Sequence, residues 1–290
     1  MITVIGSSNT DMVVKTDRFP QPGETIIGGK FFLFAGGKGA NQAVAAARLG
    51  GQVRFVARLG DDLFGRQARE GFEREGIDCT HVRTDPEVAS GTALITVDAS
   101  GENSIVVAPG ANDRLSPDDL AGLESTEADI LLAQLETPIP VITAAARLPG
   151  RFVLNPAPAA ELPAELYANL YLITPNETEA ELLTGIRPVD GLSLKAAAEV
   201  LRERGVANVI ITLGSQGAFY LGEAGTFISP APKVEAVDTT AAGDVFNGAL
   251  CVALSEGADW GAAVKFAIRA ASLSVTRMGP QASAPRRAEL

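Results

Sequence analysis

Short apolar runs recur along the chain at Thr3–Ile5, Val53–Val56, Ile130–Ala133, Phe152–Leu154, Leu170–Ile173 and Val209–Thr212. Each is of strand length, and stretches with helical spacing separate them. The pattern therefore predicts strands and helices alternating around a mostly parallel sheet. The helical stretches carry one apolar face apiece. Ala40, Ala43, Val44 and Ala47 form one; Leu194, Ala197, Ala198 and Leu201 form a second, with Ser193 as its cap; Phe246, Ala249, Leu250, Ala253 and Leu254 form a third.

Two stretches depart from this rhythm. Residues 11–33 and 91–108 read as paired strands, Met12–Lys15 with Ile26–Phe32, and Thr92–Val97 with Ser104–Val107 across the turn Asp98–Gly101. A sheet this small cannot bury itself. It covers a cleft as a lid, offers a surface to a partner, or decorates an edge. The tail Gln281–Leu290, rich in Ala, Pro and Arg, reads as a frayed end.

With 290 residues and 46% hydrophobic content, the chain can bury a full core. The simplest organisation is one α/β domain over residues 1–290 with the small sheet as an appendage; two domains are the alternative. A net charge of −11 leaves no basic stripe for nucleic acid, although a single anionic nucleotide can still be held by local dipoles. Two cysteines, Cys79 and Cys251, and one histidine, His81, exclude a Cys/His metal site, and His81 reads as a loop or surface residue. The opening Met-Ile-Thr-Val-Ile-Gly reads as a strand, with no basic segment or cleavage site. No apolar run reaches the eighteen residues or so that a spanning helix needs, so the expected location is the cytoplasm.

Candidate chemistry sits at the ends of the apolar runs. Asp238-Thr-Thr-Ala-Ala-Gly-Asp244 joins a small-residue turn to a carboxylate in the first turn of the third helix. Uncovered N–H groups there favour an anion, and Asp244 beside them is either a base facing an electrophile or a complement to the helix dipole. Gly36-Gly37-Lys38-Gly39-Ala40-Asn41 lacks the hydroxyl residue of a P-loop; glycines under a Lys and an Asn suit a polyhydroxylated ligand, or simply a tight turn. Asn9 and Asp11 follow the first run and share a face of extended chain, as a site or as a turn. Glu136 follows Ile130–Ala133 at the same topological edge. Thr174-Pro-Asn176-Glu-Thr-Glu179 opens a helix, so Asn176 and Glu179 either cap it or meet phosphate and hydrated magnesium. Thr212-Leu-Gly214-Ser215-Gln-Gly217 joins two strands as a hairpin turn that also suits a nucleotide.

Taken in order, these segments resemble the ribokinase-like (PfkB) sugar kinases across essentially the whole chain. The glycine cluster at 36–41 with Gly50 and Gly60, and Asp238–Asp244, resemble the family's two signatures; Pro22–Thr25, Gln134–Glu136 and Asn155–Pro158 extend the match. The resemblance implies a three-layer α/β/α core with a small β-sheet lid. It also implies transfer of a phosphoryl group from Mg·ATP to the primary hydroxyl, O5, of D-ribose. Under it Asn9, Asp11, Gly37, Lys38, Asn41 and Glu136 hold the sugar, Asp244 is the base, and Ala241, Ala242 and Gly243 form the anion hole. Asn176, Thr212, Gly214, Ser215, Gly217 and Asn247 meet ATP, with Glu179 influencing magnesium. Potassium as activator would map to Asp238, Thr240, Ser274, Arg277, Gly279 and Ser283, several through backbone oxygens.

At Ile268 family members often carry His or Asn near the adenine, which puts purine selectivity in doubt. Exposed lid edges suggest a homodimer. Kinases for deoxyribose, fructose or a nucleoside, and a non-catalytic sugar-binding protein, are the competing expectations.

Overall fold

The structure, a computed structural model, describes residues 1–290. In chain order the strands are β1 (Ile2–Ile5), β2 (Asn9–Lys15), β3 (Lys30–Gly36), β4 (Val53–Gly60), β5 (Asp78–Asp85), β6 (Gly91–Val97) and β7 (Asn103–Ala108). They continue as β8 (Ile130–Ala133), β9 (Arg151–Leu154), β10 (Leu172–Ile173), β11 (Val209–Thr212), β12 (Ala218–Gly222) and β13 (Gly225–Ser229). The helices are α1 (Lys38–Arg48), α2 (Leu63–Arg74), α3 (Ile139–Ala145), α4 (Ala164–Tyr167) and α5 (Glu177–Thr184). After them come α6 (Gly191–Glu203), α7 (Ala242–Ser255), α8 (Trp260–Ser274) and α9 (Pro280–Ser283).

β1 and β8 are buried at every position, as strands covered on both faces must be, and this is why they read as unbroken apolar runs. They pair at the middle of a nine-stranded sheet ordered β13-β12-β11-β10-β9-β8-β1-β4-β5, parallel except at the β11–β12 and β12–β13 pairs. Alternate residues point to opposite sides. Ile2, Val4, Ile130 and Leu132 join a core with α1, α7 and α8, while Ile5, Leu131 and Ala133 join a second with α3, α5 and α6. The result is the expected three layers. No helix is long and apolar enough to cross a membrane.

The chain leaves this layer twice. β2 and β3 depart after β1, β6 and β7 depart after β5, and the four form a separate sheet ordered β3-β2-β6-β7. Asn9 opposes Gly36 and Asp11 opposes Phe34, so both polar residues lie on one face of the small sheet at its root. On the opposite face Leu33, Leu94 and Val106 are exposed, Leu33 and Leu94 both lying across the sheet from Met12.

Several local expectations give way. β3 starts at Lys30, because Gly28 at φ 120° turns the chain and leaves Ile27 94% exposed. The cap of α6 is Asp190, and Ser193 is its reciprocal partner in a capping box. His81 lies within β5, an edge strand whose polar face hid it from the apolar pattern. The tail is docked: Arg48 donates to the Gln281 and Ala284 carbonyls, Arg287 pairs with Glu256, and Ser283 is buried.

Candidate active site

Strand order reverses between β1 and β8. From β1 the chain builds outward through β4 to β5, and from β8 it builds the other way, so the carboxyl ends of β1 and β8 flank a crevice. The segments Gly6–Asp11 and Gln134–Glu136 open onto it. The start of α1 comes in from above. Gly39 packs against the backbone of Gly6 and Ser7, and Gly37, at φ 88°, lies against the backbone of Ser8 and Asn9, where no side chain fits.

No residue of α1 caps its own N-terminus. Glu136 does so from the bend after β8: its Oε2 accepts from the Lys38 N–H at 2.9 Å and from Ser7 Oγ at 2.5 Å. A carboxylate at a helix start suits the dipole, so Glu136 fixes the turn that presents Lys38 and leaves Oε1 free. Asn9 is likewise held. Its Oδ1 accepts from Asn112 Nδ2 at 2.7 Å, while Asn112 also clamps the N–H and carbonyl of Ser8. Asn9 therefore presents its own amide hydrogens outward.

Asp244 closes the crevice from α7. It is 5% exposed, and its two oxygens accept from Asn41 Nδ2 and Gln42 Nε2, both at 2.9 Å. Burial pushes its pKa above the ordinary carboxylate range, against the pull of Lys38 and the two amides. Burial, then the charges of Glu136 and Asp244, lift Asp11 to about 6. Burial alone would lower Lys38, but Asp244, Glu136, Glu179 and Asp11 outweigh it and its pKa is raised. One ammonium is thus shared among four carboxylates. Asn41 Oδ1 is buried and has no hydrogen-bond partner in the protein.

Beyond Asp244 lies the second half. α7 has no side-chain cap, and Ala241 before it holds a left-handed conformation at φ 61°, uncommon for alanine. Ala242 spends its N–H on the Thr239 carbonyl, the Gly243 N–H after it has no protein acceptor, and the space in front of Gly243 is empty of protein atoms. From there a cavity of about 660 Å³ runs past Thr212, Gly214, Ser215 and Gly217 to a wall of Val234, Ile268, Ala271 and Val275. Ile268 is itself part of that wall and is buried. Ser272, one turn further along α8, also lines the cavity. A second hollow, about 800 Å³, lies behind the small sheet between Leu33, Phe64 and Pro280; its Arg48 and Arg286 are already paired with Glu75.

Asn176 and Glu179 form a capping box, Asn176 Oδ1 accepting from the Glu179 N–H and Glu179 Oε2 from the Asn176 N–H, both at 2.8 Å. Capping is therefore their visible role. Glu179 is nonetheless buried, its pKa raised chiefly by that burial, and its Oε1 is uncommitted, which fits a hydrated divalent cation. Asn247 departs from expectation. It is 1% exposed, accepts from Thr174 Oγ1 at 2.6 Å and donates to the Gly243 carbonyl at 2.8 Å, so it braces the α7 turn and does not face the cavity.

Behind that turn Asp238 accepts from the N–H groups of Thr240 and Gly279, each at 2.9 Å, drawing residues 41 apart together. Arg277 is engaged with Glu289 through its side chain, so only its backbone could serve a cation.

Sequence reasoning missed Ser7, Gln42 and Asn112, and gave Gln134 and Asn155 no role. Gln42 had a signal, being with Asn41 one of two polar residues in a run of Gly, Ala and Val that is buried from Gly39 to Ala46.

Residues 1–287 match the pfkB family carbohydrate kinase model. Over 294 residues the chain is 45% identical to a ribokinase of Haemophilus influenzae, covering 99% of this chain and 96% of that protein. It is 39% identical to a deoxyribokinase of Salmonella typhi over 98% of this chain and 95% of the other. The solved structure of Arabidopsis thaliana ribokinase complexed with ribose and ATP superimposes with a TM-score of 0.89 at 34% identity, over 99% of this chain and 96% of that one.

Proposed function

The chain belongs to the pfkB family of carbohydrate kinases, and we propose that it phosphorylates D-ribose at O5 from ATP with Asp244 as general base. The observation that carries this reading is the position of Asp244. It stands between the cluster of polar side chains on β2 and α1 and the open turn in front of Gly243.

In the reaction Asp244 accepts the O5 proton, the O5–phosphorus bond forms, and the bond from phosphorus to the β,γ-bridging oxygen breaks to release ADP. Asn9 donates to a sugar hydroxyl; Asp11 and the free Glu136 oxygen accept from others, and Asn41 borders the sugar while holding Asp244. Gly37 lets the sugar approach the backbone, and Lys38 balances the carboxylates around it. In the Ala241–Gly243 turn, Ala242 donates its N–H to the Thr239 carbonyl, which leaves the Ala241 and Gly243 N–H groups for the charge that develops on the phosphoryl oxygens. Thr212, Gly214, Ser215 and Gly217 line the nucleotide's path. Magnesium bound with ATP neutralises phosphate charge, and Glu179 would hold it through water. Potassium, held by Asp238 and the backbone oxygens of Thr240, Ser274, Arg277, Gly279 and Ser283, would add positive charge behind the turn. The small sheet acts as a lid that excludes water, and a cytoplasmic enzyme has the ATP this requires.

2-Deoxyribose is the second reading, favoured by the likeness to a deoxyribokinase. A nucleoside is the third reading: Phe32 and Phe34, 6.1 Å apart and parallel, lie on the same face of the small sheet as Asp11. A purely sugar-binding protein would have no use for a base facing an open phosphate turn. ATP turnover across ribose, 2-deoxyribose, fructose and adenosine, with and without potassium, tests all of this. Ribose should give the highest kcat/KM, and potassium should raise it; another sugar ahead of ribose overturns the assignment.

The outer face of the lid, with Leu33, Leu94, Val106, Phe31 and Val14 exposed, is the reading's dimer surface. Light scattering at micromolar concentration should give twice the chain mass, and a monomer mass excludes it.

A further inference from the structure

Gln42 touches the Asp244 carboxylate as closely as Asn41 does, yet no part of it reaches the space where substrate would sit: it is fully buried. Its surroundings have a direction. A carboxylate can only accept, so Gln42 must turn Nε2 toward Asp244, and the second hydrogen on that nitrogen goes to Asn155 Oδ1 at 3.0 Å. Gln42 Oε1 then faces away and accepts from Gln134 Nε2 at 2.6 Å. Gln134 Oε1 is left buried with no partner, packed against Gly6. Asn155, accepting through Oδ1, turns Nδ2 toward the Thr174 carbonyl at 3.3 Å. The amides of Gln134 and Gln42 thus point their N–H ends the same way, from the end of β8 through α1 toward Asp244.

Turning Gln134 over would set its oxygen against Gln42 Oε1, and turning Gln42 over would set its oxygen against the Asp244 carboxylate, so the two amides hold one direction together. What the direction secures is an Asp244 that accepts on Oδ1. The other groups around it cannot substitute. Lys38, Glu136, Asp11 and Glu179 act on Asp244 through charge alone, and none donates a hydrogen bond to it. Asn41 holds only Oδ2. Without Gln42 the carboxylate would be free to rotate about one contact, and its second oxygen would be buried unpaired.

We propose that Gln42 is a positioning residue for phosphoryl transfer: through the Gln134–Gln42–Asn155 amides it fixes the plane of the Asp244 carboxylate and keeps it a proton acceptor. The proposal rests on Asp244 being the base. Nothing in it requires Gln42 to touch sugar or nucleotide.

The test compares Gln42→Met, Gln134→Met and Asp244→Asn with the parent enzyme, reading kcat and KM for ribose against pH. Gln42→Met should lower kcat about 10- to 100-fold, the worth of a hydrogen bond to a charged group. It should leave KM nearly unchanged and move the acid limb of kcat to higher pH. Gln134→Met, which frees Gln42 to turn, should move the same limb the same way by less, and it serves alone if Gln42→Met does not fold. A folded Gln42→Met, or Gln134→Met in its place, with kcat lowered but the acid limb unmoved shows a packing role only and overturns the inference. Near-normal turnover in Asp244→Asn overturns the underlying assignment of the base, a separate failure.

Discussion

The acceptor half of the cleft is lined by amide and charged side chains, whereas the donor half is lined mainly by glycine backbone, aliphatic surface and hydroxyls, with Lys233 its one charged group. Asn9, Asp11, Lys38, Asn41, Glu136 and Asp244 come from four separate segments, and most are already oriented by hydrogen bonds to one another or to buried amides. Across Gly243 the cavity offers Gly214 and Gly217, the uncapped start of α7, and the wall of Val234, Ile268, Ala271 and Val275. The difference teaches where discrimination resides. A site built of buried polar groups rejects a ligand that leaves them unpaired, while an aliphatic slot separates similar ligands weakly. Selectivity for the sugar should therefore be strict, and selectivity for the base of the nucleotide loose.

Asp244 belongs to both halves, so its removal should have the largest effect. Asp244→Asn keeps the shape and should fold and bind ribose by calorimetry, while turnover falls by about 10²–10⁴, the usual worth of general-base help. Turnover within tenfold of the parent would detach the residue from the chemistry.

Next is Gly243, which separates backbone recognition from side-chain recognition. A methyl group there meets no protein atom, and alanine favours a helix over glycine, so Gly243→Ala should hold or raise the melting temperature. It nevertheless enters the space for the phosphoryl group, and misplacement on that scale should cost about 100-fold in kcat. A stable variant with unchanged kcat would show that the phosphate lies elsewhere.

The smallest effect is expected at Asp11, on the acceptor side alone. With its pKa lifted to about 6, chiefly by burial, Asp11 loses its charge as pH falls through 6, and KM for ribose should rise there. Asp11→Asn should raise KM about tenfold at neutral pH and abolish that acid rise, with kcat little changed. The same shift has a stability signature of defined sign. A folded pKa above the unfolded value means that the folded state binds the extra proton, so this group's contribution is fully present below about 3.8 and is lost as pH rises through 6. Denaturant midpoints measured between pH 4 and 7 should show that slope in the parent and not in Asp11→Asn.

Much of the fold was legible because its central strands announce themselves. Ile130–Ala133 and Val209–Thr212 came out with the expected bounds, and the small sheet followed from two stretches out of rhythm. β5 was invisible: an edge strand carries polar residues on its open side, and Asp78–Asp85 has no apolar run. The tail was misread for a related reason. Its order comes from Arg48, Arg287 and buried Ser283, contacts made with segments far away in the chain.

For the site, sequence alone determined the residue types and their local setting. It showed an acid in the first turn of a helix, glycines before a Lys and an Asn, and polar residues at strand ends. Local propensity and short spacings suffice for these, since each depends on neighbours in the chain. Which of them meet was decided by tertiary structure. Asn41 and Asp244 are 203 residues apart, and Glu136 reaches the Lys38 N–H across 98. Tertiary structure also decided which polar atoms were already used, enclosing Asn247 and committing Asn176 to its capping box. Gln42 is the clearest case. Its neighbours in sequence mark it only as a polar residue on an apolar helix, and its direction toward Asp244 exists only because a buried carboxylate can accept and cannot donate.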